Sequence, residues 1–188
     1  LDQVALVTVR ERYARTVLEE AGLAREIIET ADPGFLMEPE ALTDDALQKE
    51  GLAGKERLVA MSVREPGGAA PDLKEDVYHA LVANAADFIV DRFDADVVFV
   101  PMEYRKLDIQ HSHAVIAKML QAKRATVLKG EYTSGQVLTL MKQFEFAVGM
   151  RLHFLLFAAL QGVPFVALPY ASKVSGLLES LGVAVPPL

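Results

Sequence analysis

The stretch Phe146 to Lys173, FAVGMRLHFLLFAALQGVPFVALPYASK, constrains the fold more than any other part of the chain. FAVGM is an apolar run with no polar alternation, as expected of a parallel strand buried on both faces. Arg151 and His153 follow at once, then a mostly apolar helix pattern that Gly162 and Pro164 stop, and FVALPY begins a second buried strand. A cation and a titratable imidazole therefore fall where a strand's carboxyl end hands over to a helix amino terminus. In open α/β sheets ligands bind at that edge. Aligned peptide dipoles add about half a positive charge there, which favours an anion. Arg and His in a first turn can also cap a surface loop. The apolar flanks argue for a cleft instead, because burying two polar side chains is costly unless they are paired or face an opening.

The rest of the chain repeats this alternation. Strands are expected at Val4 to Val9, Glu26 to Thr30, Arg57 to Val63, Asp96 to Met102, Ala125 to Leu128, Phe146 to Met150 and Pro164 to Tyr170. Helices are expected at Arg10 to Glu20, Asp72 to Phe93, Ile109 to Gln121, Ser134 to Phe144, Leu152 to Gln161 and Val174 to Leu181. Strands alternating with helices imply an α/β fold with a doubly wound parallel sheet and right-handed crossovers. The polar segment Pro39 to Gly54 reads as a loose helix plus linker, and a domain boundary is placed there. Residues 1–50 and 51–188 are then separate units, the first too small to bury its own faces.

Bulk properties exclude several classes. The 188 residues are 52% apolar, which suits a globular domain, and no apolar run approaches the ~18 residues a membrane span needs. A net charge of −7 argues against general nucleic-acid binding, though not against a local basic pocket. There are no cysteines, hence no disulfide framework and no thiolate zinc site. That composition fits a reducing compartment. The opening LDQVALVTVRER resembles the middle of a strand more than a natural start, so an upstream portion is expected.

Each strand end carries a candidate. Arg10 follows the first strand. Arg64 follows the third, ahead of Glu65-Pro66-Gly67-Gly68, where an exposed loop arginine paired with Glu65 is an equal reading. After the fourth strand, Asp108 is a possible helix cap, with His111 and His113 in the first turn. Histidines two apart point to different sides of a helix, so one cleft histidine is reasonable and a shared metal is not. Lys129 and Glu131 flank Gly130 after the fifth strand, with Thr133 or Ser134 as an ordinary cap, and Lys173 follows the seventh strand. Arg64, Lys129, Arg151 and Lys173 thus share one sheet edge in an acidic protein, which suits a small di- or tri-anion. Neither GxGxxG nor GxxxxGK[ST] is present, and no serine nucleophile elbow is evident.

With those residues in view, the chain resembles the polysaccharide pyruvyl transferase family, and most closely its bacterial cell-wall members of the S-layer anchoring type. The segments that carry the likeness are VTVRERYARTVLEEAGL, TADPGF, VAMSVRE, FVPM and VGMRLHFLLFAALQGVPFVALPYASKVSGLLESLG. Ala171 stands where the family commonly has Asp. The resemblance implies a Rossmann-like fold similar to the carboxyl-terminal half of a GT-B enzyme, with residues 1–50 as the tail of an amino-terminal domain. It implies transfer of a pyruvyl group from phosphoenolpyruvate to a sugar of a glycan or lipid-linked saccharide, giving a ketal and phosphate. His153 and Arg151 would be catalytic, and Arg10, Arg64, Lys129, Glu131, Arg151, Leu152, His153 and Lys173 would bind substrate. No cofactor or metal is called for, and the setting would be cytoplasmic, with peripheral contact at the inner membrane face. Two rivals are a GT-B glycosyltransferase using a nucleotide sugar and a non-catalytic anion-binding domain. The first should carry a late acidic residue for the ribose hydroxyls, and only Glu179 follows Glu145.

Overall fold

The computed structural model describes residues 3–65, 67, 70–103 and 107–184. Seven parallel strands form two sheets. The small sheet pairs β1 (Val7–Val9) with β2 (Ile27–Glu29), joined through α1 (Arg12–Glu20). The large sheet has the order β5-β4-β3-β6-β7, built from β3 (Leu58–Ser62), β4 (Asp96–Phe99), β5 (Ala125–Val127), β6 (Phe146–Gly149) and β7 (Phe165–Ala167). Its helices are α3 (Glu75–Phe93), α4 (Asp108–Ile116), α5 (Ser134–Met141), α6 (Leu152–Leu160) and α7 (Ser172–Ser180).

The apolar strand runs are continuous because both sheet faces are covered. Within β3, Leu58 and Ala60 enter one core with α5, α6 and α7, while Val59 and Met61 enter the other with α3 and α4. The two-residue period of a strand sends neighbours to opposite layers, which is the doubly wound arrangement. Observed elements are shorter than the sequence patterns. The first strand begins at Val7 rather than Val4, β4 ends at Phe99 rather than Met102, and α4 ends at Ile116 rather than Gln121. Apolar residues beyond those ends, such as Val100 and Met119, are buried in loops. Of the long polar segment, only Ala46–Lys49 (α2) is helical. The Pro/Gly loop expected after Arg64 includes Pro66 and Gly68, which lie outside the described residues.

That polar segment runs as a strap along the large sheet. Phe35, Met37, Leu42 and Leu47 pack against the core of α5–α7, and Leu52 is buried within it. The buried Glu50 carboxylate accepts hydrogen bonds from the amides of Lys129 (2.8 Å) and Gly130 (2.7 Å) and from the Tyr132 hydroxyl (2.8 Å). Asp32 accepts from the Gly34 amide at 2.8 Å and so starts the 3-10 turn Pro33–Leu36, which packs on α6. Thr133 caps α5 with a full capping box through Gln136.

Gly149 closes β6 immediately before the Met150-Arg151 junction. A β-carbon there would lie 2.3 Å from Cδ1 of Phe154, so the strand reaches α6 at a distance only glycine permits. Gly149→Ala should therefore lower unfolding stability in urea by roughly 1–3 kcal/mol, and adding Phe154→Leu should recover part of that loss. Behind β6, the Tyr78 phenol reaches Sδ of Met150 at 3.1 Å, and burial pushes its pKa up to about 12. The neutral phenol is favoured in the folded state, so its contribution is full below pH ~10 and fades as pH rises towards 12. Melting temperatures recorded across that window should fall more steeply for the native chain than for Tyr78→Phe.

Candidate functional site

A cleft of about 670 Å³ opens where the carboxyl ends of the small sheet meet those of the large one. Its walls include Arg10, Asp32, Gly34, Glu103, Arg151, Leu152, His153, Tyr170 and Lys173. Strand order explains the meeting. Arg10 leaves β1, Asp32 lies just beyond β2, Arg151 and His153 leave β6, and Tyr170 and Lys173 leave β7. Both α6 and α7 begin here, each from an N-cap residue, Arg151 or Ala171, whose side chain makes no cap hydrogen bond. No side-chain cap therefore serves their first turns, where helix amino termini favour anions, although the Val174 amide of α7 already donates to the Ala171 carbonyl at 2.9 Å.

Asp32 organises one wall. Its carboxylate is 8% exposed, accepts from Arg10 Nη1 at 2.7 Å, and lies 3.7 Å from Nε2 of His153. That last distance exceeds a hydrogen bond but forms an ion pair whenever the imidazole is protonated. The His153 side chain is 49% exposed, so it is open to a ligand in the cleft. Gly34 keeps the turn close: a β-carbon on it would sit 3.1 Å from Asp32 Oδ1 and 3.4 Å from the imidazole.

Arg151 forms the other wall and is already engaged. Its guanidinium donates to Asp108 through Nε (3.2 and 3.1 Å) and Nη2 (2.5 Å), and to Glu103 through Nη2 at 2.8 Å. Asp108 has no exposed surface and also accepts from the amides of Met102 and Glu103, both at 3.1 Å. It does not cap α4, whose N-cap is Leu107; its carboxylate faces back to the end of β4. Among the described residues, Lys173 is the one cation of the cleft with no carboxylate partner. Its ammonium sits over the Tyr170 ring, 5.3 Å from the centroid.

Arg64, expected beside Arg151, is not among the cleft-lining residues. It pairs with Glu65 and stacks on Tyr170, its guanidinium carbon 4.2 Å from the ring centroid. Burial alone raises the Tyr170 phenol, but Lys173 and Arg64 outweigh it, leaving its pKa below the ordinary value. Lys129 and Glu131 are exposed beyond β5, separated from β6 by β4 and β3, and do not line the cleft. The structure therefore brings Arg10, Arg151, Leu152, His153 and Lys173 together and leaves Arg64, Lys129 and Glu131 outside. His111 is buried against α3, not in the cleft, while His113 is exposed. Asp32, Glu103 and Tyr170 are lining residues that the sequence reading passed over. Asp32 stands in Asp32-Pro33-Gly34, a local turn pattern, and only its contact with a distant helix gives it a place in the cleft.

A family model described as polysaccharide pyruvyl transferase matches residues 1–172. No curated protein matches the sequence. Similar solved structures include a UDP-GlcNAc 2-epimerase of Methanocaldococcus jannaschii, determined in complex with UDP-GlcNAc and UDP. It is 14% identical, with a TM-score of 0.56 over 91% of this chain and 48% of its own. A Listeria monocytogenes protein described as a UDP-N-acetylglucosamine 2-epimerase gives 12% identity and a TM-score of 0.57 over 97% of this chain and 47% of its own. A glycosyl transferase family 9 structure from Veillonella parvula gives 16% identity and 0.51, covering 99% and 55%. At these identities the likeness is one of fold, GT-B-like, and the chain spans about half the length of each.

The Asp108–Arg151 pair gives a direct test. Asp108→Ala should cost about 3–5 kcal/mol in urea unfolding, because it strands a mostly buried guanidinium. His153→Ala, half exposed, should change stability by less than about 0.5 kcal/mol.

Proposed function

Because the chain belongs to the polysaccharide pyruvyl transferase family, we propose that its cleft binds phosphoenolpyruvate and transfers the pyruvyl group to two hydroxyls of a sugar. The observation that carries this reading is the exposed His153 imidazole, set beside the buried Asp32 carboxylate at the uncapped start of α6 in a cation-lined cleft. A cleft of this volume is in the range of small-molecule sites. The donor offers a carboxylate and a phosphate. Lys173, which has no carboxylate partner, and the starts of α6 and α7 face them, and Arg151 shares its outer edge.

The chemistry balances with one proton carrier. A proton added to the methylene carbon turns it into a methyl group and leaves an oxocarbenium-like carbon. One sugar hydroxyl bonds to that carbon and gives up its proton. The second hydroxyl then forms the second carbon–oxygen bond as the carbon–phosphate ester bond breaks, its proton leaving with the phosphate. His153 is the group assigned to move these protons, Asp32 acts on it as a positioning residue, and Arg151 steadies the developing charge. Arg64 acts through Tyr170 rather than on the substrate, and Lys129 and Glu131 take no part in holding the donor. Residues 1–50 are the tail of an amino-terminal domain and 51–188 the donor domain. The acceptor class is a glycan or lipid-linked saccharide of the cell wall, as in S-layer anchoring. The setting is cytoplasmic, at the inner membrane face.

Phosphate release from phosphoenolpyruvate by the full-length protein, supplied with candidate saccharide-lipid acceptors, tests the reading. His153→Ala should lower kcat by about 10²–10⁴-fold with an unchanged melting temperature. Lys173→Ala should raise KM for phosphoenolpyruvate about tenfold, equivalent to ~1.4 kcal/mol of binding. Near-normal turnover in His153→Ala removes the imidazole from the mechanism. Thermal stabilisation by nucleotide sugars but not by phosphoenolpyruvate favours the glycosyltransferase alternative.

A further inference from the structure

Away from the cleft, on the sheet face covered by α3 and α4, two buried histidines meet. His79 on α3 and His111 on α4 are each 5% exposed, and Nε2 of the first lies 2.8 Å from Nδ1 of the second. Glu75 stands four residues before His79, hence on the same face of α3. One ligand atom from each of Glu75, His79 and His111 can be chosen so that all lie within 4.8 Å of one another. Tyr78 packs its ring against both imidazoles, with centroids 5.4 and 6.4 Å away.

A hydrogen bond between two neutral imidazoles satisfies one nitrogen on each ring, and taken alone it explains the pair. It gives no account of a carboxylate converging on the same point. A histidine ligates a metal as the neutral imidazole, and a buried pair bonded ring to ring offers that form. The nearby Lys118 ammonium is held by Asp76 at 2.5 Å.

We propose that Glu75, His79 and His111 form a binding site for one zinc-like divalent cation that pins α3 to α4. Two imidazoles and a carboxylate are a zinc ligand set, with water in the fourth tetrahedral position. Zinc–nitrogen bonds of about 2.0–2.1 Å at a tetrahedral angle set the two nitrogens about 3.3 Å apart. The rings need to open by only about half an ångström from their present contact. Glu75 is exposed and marks the side from which the ion enters and water completes the shell. The site lies one helical turn from Asp108, since Asp108 and His111 share α4. The ion thus fixes the helix that carries the carboxylate partner of Arg151.

The test is calorimetric titration of the chelator-stripped full chain with zinc chloride, with cobalt(II) chloride as an optical probe of tetrahedral geometry. The expected result is one equivalent bound with micromolar or tighter affinity, a higher melting temperature, and visible cobalt absorption. His79→Gln and His111→Gln should each weaken binding about 100-fold, Glu75→Gln about tenfold, and His113→Gln should leave it unchanged. If either buried-histidine variant fails to fold, the exposed Glu75→Gln variant and the native cobalt spectrum decide. Absence of saturable binding by the native chain, or affinity unchanged by Glu75→Gln and the histidine variants, overturns the proposal.

Discussion

A carboxylate with no exposed surface can remain charged only if its surroundings replace water, and Asp108 meets that demand with two backbone amides and the Arg151 guanidinium. The two residues come from either side of the central strand: Asp108 follows β4, Arg151 follows β6, and β3 runs between them. Their pair therefore bridges the end of β3 and fixes the mutual position of α4 and α6. Everything in the cleft's larger wall, including the imidazole two residues after Arg151, inherits its place from that bridge. The same demand explains why Gly149 precedes the junction. The strand must approach α6 closely enough to deliver Arg151 to a carboxylate already fixed by backbone amides.

The smaller wall obeys a similar logic with opposite exposure. Arg10, Asp32 and His153 come from β1, the turn after β2, and α6, so their charges meet only if the small sheet seats against the large one. The strap through Phe35, Met37, Leu42 and Leu52 supplies the apolar contact for that seating, and Glu50 locks its far end to the loop after β5. An acidic chain can thus build a cation-rimmed cleft, because Arg10 and Arg151 on its walls are answered by carboxylates nearby.

The sequence made the layered architecture legible because strands buried on both faces read as unbroken apolar runs. It also identified the sheet edge that carries the cations. It did not resolve position along that edge. Lys129 and Glu131 follow β5, the outermost strand, and the order β5-β4-β3-β6-β7 that keeps them from the cleft is a long-range property no local pattern encodes. Arg64 was drawn off by contacts with Glu65 and Tyr170, one its sequence neighbour and the other more than a hundred residues away. Asp32 in Asp-Pro-Gly and Asp108 before a helix both match local capping patterns. In each, a distant cation claims the carboxylate as well, and in Asp108 it displaces the cap. The Glu75–His79 spacing was visible on α3, but His111 joins it only through the packing of α3 on α4.

The partners of Arg151 are unequal, and that inequality bears on how an anion reaches a guanidinium already paired. Asp108 is wholly buried, so exchanging it exposes an unanswered charge to a dry interior. Glu103 is 61% exposed at the side chain, and such a surface ion pair contributes only about 0–1 kcal/mol. On the proposed reading, a dianion would take the place of Glu103 on Nη2 at little cost while the contacts to Asp108 through Nε and Nη2 keep the guanidinium in plane. In the proposed site, Lys173, which has no carboxylate partner, would add a cation without breaking any other ion pair. Arg151 is held by one buried carboxylate and one exposed one, the division of labour that the proposed anion site would require.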